Sequence, residues 1–218
     1  MIKIKIIALA FLTSVIILSG CGVSKSVKGG AIGSVAGGAA GAIIGRATGN
    51  TAMGAVIGAT VGGVSGAVIG NKMDKQAQEI KAKVPGVNVE RVGEGIVIEF
   101  TSDVLFGFDK AELKPVAKEN LGKLVTILND YPDTNIEIHG HTDSKGSLSY
   151  NQSLSEQRAR AVSNYLTNRS IASNRLTTIG FGEEQPKYDN DTANGHDRNR
   201  RVEFAISANE KMKNESKQ

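Results

Sequence analysis

The sequence predicts an α/β unit of order β-α-β-α-β-β, a mixed sheet with helices packed on one face, preceded by a glycine-rich helical hairpin. Two observations carry the first half of that reading. Several short segments alternate apolar and polar residues, and two longer ones repeat apolar residues every three or four positions. The second half rests on glycines that recur at an interval of four before residue 72.

In the α/β unit, Ile96, Ile98 and Phe100 alternate with Val97 and Glu99, a strand pattern that begins near Gly93. Pro115 suits the first turn of a helix, where its missing N–H is no loss. Ala117, Leu121, Leu124 and Leu128 then form a buried stripe, and Tyr131-Pro132 ends it. Ile136 and Ile138 alternate with Glu137 and His139 as a second strand. A long helix is predicted over 148–168, with Leu154, Ala159, Val162 and Leu166 facing inward, and two further strands over 176–181 and 202–206. The domain is placed at 90–208, with a linker and polar helix over 72–89, broken at Pro85-Gly86, and a polar tail over 209–218.

The glycines fall at Gly29, Gly33, Gly37, Gly41, Gly45 and Gly49, then at Gly54, Gly58, Gly62, Gly66 and Gly70. A flexible linker mixes glycine with serine and has no period. Here Ala, Ile and Val fill the intervals, and period four sets the glycines along one helical face where two backbones can approach. The expected structure of 21–71 is a glycine-zipper hairpin in or on a membrane, with self-association into a homo-oligomer as a further expectation. Arg46, the one charge between Gly29 and Asn71, would snorkel to the interface. A solvated spacer is the competing reading, because glycine is a poor helix former in water.

The N-terminus has the form of a secretory signal. Lys3 and Lys5 precede thirteen mostly apolar residues from Ile6 to Leu18, too short for a membrane span. Leu18, Ser19, Gly20 and Cys21 follow, and Cys21 is the only cysteine. This tetrapeptide resembles a bacterial lipobox, which implies cleavage after residue 20 and acylation of Cys21, anchoring the chain in lipid. Gly22 is not the aspartate of inner-membrane retention, so the resemblance implies the outer membrane, with the domain facing the periplasm. A plain signal with an incidental cysteine is the alternative.

Composition excludes several classes. One cysteine excludes an internal disulfide and a cysteine-based zinc site. Of 26 basic residues, loss of Lys3 and Lys5 leaves 24 against 22 acidic, too balanced for a nucleic-acid footprint. No cofactor is expected.

Three clusters carry chemistry: Phe106-Gly107-Phe108-Asp109; Gly140-His141-Thr142-Asp143 with Asn151, Leu154 and Arg158; and Gly180-Phe181-Gly182 followed by Asn199-Arg200-Arg201-Val202-Glu203. Asn151, Leu154 and Arg158 share one helical face, which can point at the strand end carrying Asp143. An anion and a forked cation would then stand across a small pocket, both at its rim. The alternative is a surface ion pair of small energetic value. Together these motifs, over residues 90–208, resemble the OmpA-like peptidoglycan-binding domain of OmpA C-termini, Pal lipoproteins and MotB, here in a YiaD-type lipoprotein layout. The resemblance implies that Asp143 takes the ammonium, and Arg158 the carboxylate, of meso-diaminopimelate in the peptidoglycan stem. Thr142, Asn151 and Leu154 would line the pocket and Arg200 would support it. His196 departs from the pattern, which has arginine there, so the resemblance carries no role over to that position.

Two other readings compete. His139, His141 and Asp143 resemble part of a metal-hydrolase motif, but residue 144 is serine and the chain has only three histidines, a poor supply for hydrolytic zinc. No metal and no catalytic residue are therefore expected. Alternatively the glycine hairpin is the active part, membrane-active or oligomerising, and the wall domain only places it.

Overall fold

The computed structural model describes residues 63–217. The expected signal, Cys21 and the glycine ladder through Gly62 lie outside the described residues. Helix α1 (Gly63–Lys83) leads into an antiparallel hairpin of β1 (Val87–Val92) and β2 (Gly95–Thr101). Gly93 and Glu94 form its two-residue turn, and Gly93 supplies the positive φ (54°) that such a tight hairpin turn needs. A short helix α2 (Ser102–Leu105) precedes α3 (Pro115–Asp130), which starts with Pro115 in its first turn as expected. Strand β3 (Thr134–Gly140), helix α4 (Leu148–Thr167) and strand β4 (Leu176–Gly180) make a crossover unit, so β3 and β4 run parallel. Helix α5 (Ala193–Asn199), strand β5 (Arg201–Ala208) and helix α6 (Glu210–Glu215) complete the described chain.

The sheet order is β1-β2-β5-β3-β4, mixed as predicted. Helices α1, α3 and α4 cover one face: α1 lies against β1, β2 and α3, and α4 against β3, β4 and α3. Ile96, Ile98 and Phe100 of β2, Ile136 and Ile138 of β3, and Phe204 and Ile206 of β5 point into this layer at 0 % exposure. They meet Ala117, Leu121, Leu124 and Leu128, the stripe expected on α3, and Ala159, Val162 and Leu166 of α4. Burying each such large side chain stabilises the fold by roughly 1.5–3 kcal/mol. Leu154 is a correction: it is only half-buried and leaves the core for the cavity described below.

The folded unit also begins earlier than residue 90. Ile69, Met73, Ala77 and Ile80 of α1 fall on one helical face and are buried in the same core. Thus 72–89 is no linker: its helix packs, and Val87 and Val89 of β1 lean on the core. The Tyr131 hydroxyl donates to Glu79 at 2.8 Å and ties the end of α3 to α1; burial, then the Glu79 carboxylate, push the phenol up to about 12. The expected polar tail forms α6, which buries Met212.

Gly66 and Gly70, the last steps of the ladder, lie in α1. A side-chain carbon added at Gly66 would meet Glu94, and one at Gly70 no described atom within 4 Å. Among the described residues these two glycines are not pressed against a second helix. No described helix is long and apolar enough to cross a membrane.

The opposite face of the sheet is also buried, and it is polar toward the Asp143 end, with Val97 and Ala205 farther along β2 and β5. Glu99, Arg201, Glu203 and His139 alternate with the core residues on β2, β5 and β3, and register brings Glu99 beside Glu203 and Glu203 beside His139. The segment between β4 and β5 covers them. Lys187 donates to Glu99 at 2.8 Å, Tyr188 to Glu99 at 3.2 Å, and Arg201 to Glu203 at 2.7 Å.

Candidate functional site

The site forms where β3 ends and α4 begins. After Gly140 the chain leaves the sheet but stays bound to it: His141 N–H donates to Arg201 O at 3.0 Å and Thr142 N–H to Gly182 O at 2.9 Å. Asp143 is thereby held at the strand end. Helix α4 starts behind it, capped by Ser147, whose hydroxyl accepts from the Tyr150 N–H at 3.3 Å. The close seating of α4 requires Gly140, because a side-chain carbon there would lie 2.1 Å from the Ser155 carbonyl oxygen. That contact sets how near Arg158, one turn further on, comes to Asp143.

Thr142, Asp143, Asn151, Leu154, Arg158 and Arg200 all line one cavity of about 180 Å³. Asp143 and Arg158 are not at an exposed rim as expected, but 5 % and 3 % exposed. Asp143 Oδ1 accepts from the Lys145 N–H at 3.0 Å. Its Oδ2 is paired with Arg200 at 2.6 Å, so the cation that meets this anion is Arg200 rather than Arg158. Arg158 is held separately: its Nε donates to Lys110 O at 3.0 Å, and its guanidinium lies over the Phe106 ring at 5.3 Å. Burial lowers the Arg158 pKa from its ordinary value, while Asp109 acts in the opposite sense. At neutral pH the group stays a cation, as arginine does. Asn151 spans the loop, donating to Asp143 O at 3.3 Å and Lys145 O at 3.1 Å and to the Glu183 carboxylate.

The cavity holds a buried carboxylate and two guanidiniums beside the half-buried Leu154. Such a set can grip a small zwitterion, with charge-assisted bonds at each end. Sequence reasoning missed Lys145 and Tyr150 in the lining. Tyr150 donates to Asp109, which is held at positive φ (55°), and Phe108 beside it is 91 % exposed at the mouth. The Phe-Gly-Phe-Asp motif was the signal that this loop mattered. His196 brings Nδ1 within 3.7 Å of Asp143 Oδ2, beyond hydrogen-bond length, in place of an arginine contact.

The Asn199-Arg200-Arg201-Val202-Glu203 run divides its labour by position. Asn199 accepts from the Lys187 and Tyr188 N–H groups and shapes the covering segment, Arg200 turns to the cavity, and Arg201 pairs with Glu203 underneath. The metal-hydrolase grouping is corrected too. His139 and His141 face Glu203, whereas Asp143 is turned to Arg200. Burial, then the charge of Arg201, hold His141 well below the ordinary histidine pKa, as a neutral imidazole.

Sheet order and crossover give residues 87–208 an OmpA-like fold. The OmpA family matches residues 105–200, and the YMGG-like Gly-zipper family matches residues 1–74. The chain is similar to the probable lipoprotein YiaD of Escherichia coli (strain K12), 36 % identical over 137 residues, covering 62 % of this chain and 63 % of that protein. It is also similar to the peptidoglycan-binding protein ArfA of Mycobacterium tuberculosis (strain ATCC 25618 / H37Rv), 38 % identical over 104 residues, 48 % of this chain and 32 % of that one. The chain thus spans less than two thirds of either relative. Among solved structures, the cell wall anchor of the T6SS from Pseudomonas aeruginosa superposes with a TM-score of 0.55 at 28 % identity, over 62 % of this chain and 96 % of that one.

Proposed function

We propose that the cavity binds peptidoglycan without cutting it, by gripping the free zwitterionic end of meso-diaminopimelate, and that the chain ties the outer membrane to the wall through an acylated Cys21. The carrying observation is that Asp143 and Arg158 are both nearly buried in one cavity large enough for such a head-group. Asp143 receives the ammonium and Arg158 the carboxylate. Because Arg200 already pairs with Asp143, the ammonium shares that carboxylate with Arg200 or displaces it. The likeness to a peptidoglycan-binding protein and a cell wall anchor supports the wall as partner. The lipobox-like Leu18-Ser19-Gly20-Cys21 and the similarity to a probable lipoprotein support the anchor.

Sacculus co-sedimentation of the full-length protein tests this reading. Asp143→Ala or Arg158→Ala each weakens binding by about 2–5 kcal/mol, since truncation leaves the ligand's ammonium or carboxylate buried without its counter-charge. The double variant loses much less than the sum, because both groups act on one head-group. Amidating the diaminopimelate carboxylate weakens wild type but hardly changes Arg158→Ala. Folded single variants that sediment like wild type sink the assignment. A palmitate analogue labels wild type and not Cys21→Ser; equal labelling removes the anchor from the reading.

A further inference from the structure

On the polar face of the sheet, three side chains take no part in the cavity. His139, His141 and Glu203 are each 0 % exposed, and one ring nitrogen from each histidine and a carboxylate oxygen of Glu203 all lie within 4.8 Å of one another. Strand geometry puts them there. Residues 139 and 141 point to the same side of β3, and Glu203 of β5 is the direct cross-strand partner of His139.

The hydrogen bonding around this group is incomplete in a particular way. His139 Nδ1 and both ring nitrogens of His141 are buried without a hydrogen-bond partner. A buried polar atom left so has given up its bond to water and gained none in return, which is unfavourable. His141 Nε2 approaches Glu203 Oε2, but at 3.7 Å, too long for a hydrogen bond. The other oxygen, Oε1, is held by Arg201 at 2.7 Å. His139 Nε2 meets Glu137 Oε2 at 3.1 Å. As a donor there, it leaves Nδ1 as a bare lone pair, the carboxylate–histidine relay that orients metal-bound imidazoles. Phe181 fixes both rings, stacked on His141 at 5.3 Å between centroids and edge-on to His139 at 5.1 Å.

We propose that His139, His141 and Glu203 form a buried site for a zinc-class divalent cation that clips β3 to β5 beneath the Asp143 loop. Two imidazoles and a carboxylate suit zinc and its neighbours rather than calcium or magnesium, which prefer all-oxygen shells. Tetrahedral zinc sets its donors roughly 3.3 Å apart, so these draw inward by up to about 1.5 Å on binding. Three protein donors leave the fourth position to a water, and because every ligand is fully buried that position is shut off from a substrate, so the site is structural rather than hydrolytic. It is independent of wall binding, whose residues lie in the cavity.

The test uses full-length protein in detergent micelles, affinity tag removed and metal stripped, titrated with ZnCl2 and, in parallel, CoCl2. One equivalent binds, and ring ¹⁵N resonances of His139 and His141 shift while those of His196 do not. In folded His139→Gln and Glu203→Gln variants the affinity falls at least about tenfold, and Glu137→Ala, which removes the outer carboxylate, lowers it by about 10–100-fold. Absence of saturable binding by wild type below about 1 mM, or ring shifts confined to His196, overturns the proposal without reference to any variant. So does unchanged zinc affinity in a folded His139→Gln protein.

Discussion

The two faces of the sheet are made by the same strands and stabilised by different physics. Toward α1, α3 and α4, the residues of β2 and β5 are Ile96, Ile98, Phe100, Phe204 and Ile206, and any neighbour of similar volume would serve. Toward the segment between β4 and β5 they are Glu99, Arg201 and Glu203, where each group needs a particular partner at a particular distance. The difference teaches where this domain is tolerant and where it is specified. The apolar side holds it together, and the polar side decides how the β3 end and its cavity are arranged.

Removing α1 breaks the comparison most severely. A chain starting at residue 86 loses the burial of Ile69, Met73 and Ile80, each worth roughly 1.5–3 kcal/mol, from a total that for a domain is about 5–15 kcal/mol. It is expected to melt cooperatively, but at a much lower temperature by circular dichroism than a chain starting at residue 63. An unchanged melting temperature would show that α1 only decorates the apolar face.

Next in size is Arg201→Ala, which takes the 2.7 Å cation from the fully buried Glu203 carboxylate and is expected to cost about 3–5 kcal/mol in denaturant titration under chelator. Replacing both partners, Arg201→Met with Glu203→Leu, should recover most of that loss, since the penalty belongs to burying the carboxylate without its arginine. A double variant no better than the single one would mean that the polar face is held by something other than this pair. The smallest effect is expected opposite, at Ile98→Val, about 0.5–1.5 kcal/mol with an unchanged denaturant slope. A loss as large as that of Arg201→Ala would erase the distinction between the faces.

What could be read in advance follows the same division. Helices α3 and α4 and strands β2 to β5 were legible because burial on one side leaves a periodic trace of apolar residues. The α1 stripe was divided by a change of composition: Ile69 sits among glycines and alanines, and Met73, Ala77 and Ile80 among charges. Strand β1 offers only Val87, Val89 and Val92 against Asn88, Glu90 and Arg91, a short signal beside Pro85-Gly86. At the cavity, motif spacing was enough to gather Asp143, Arg158 and their neighbours around one space. It could not show that Arg200 is the partner of Asp143, or that Glu203 stands with His139, because both depend on how β3 and β5 align across the long stretch of chain between them. Periodicity reports burial; it does not report which charge meets which.

Under the proposed tethering role, the place of α1 has a mechanical consequence. The lipid anchor would pull from the N-terminal side of Gly63, while the wall would hold the chain at the end of β3. Tension then falls first on α1, a helix that is part of the core and yet the first described element on the load path. Its 21 residues span about 1.5 Å each as helix and at most about 3.3–3.6 Å each when drawn out. Peeling α1 away would therefore release roughly 40 Å of slack before the load reached the strands that carry Asp143. In that arrangement the helix acts as a fuse in the tether, yielding ahead of the grip.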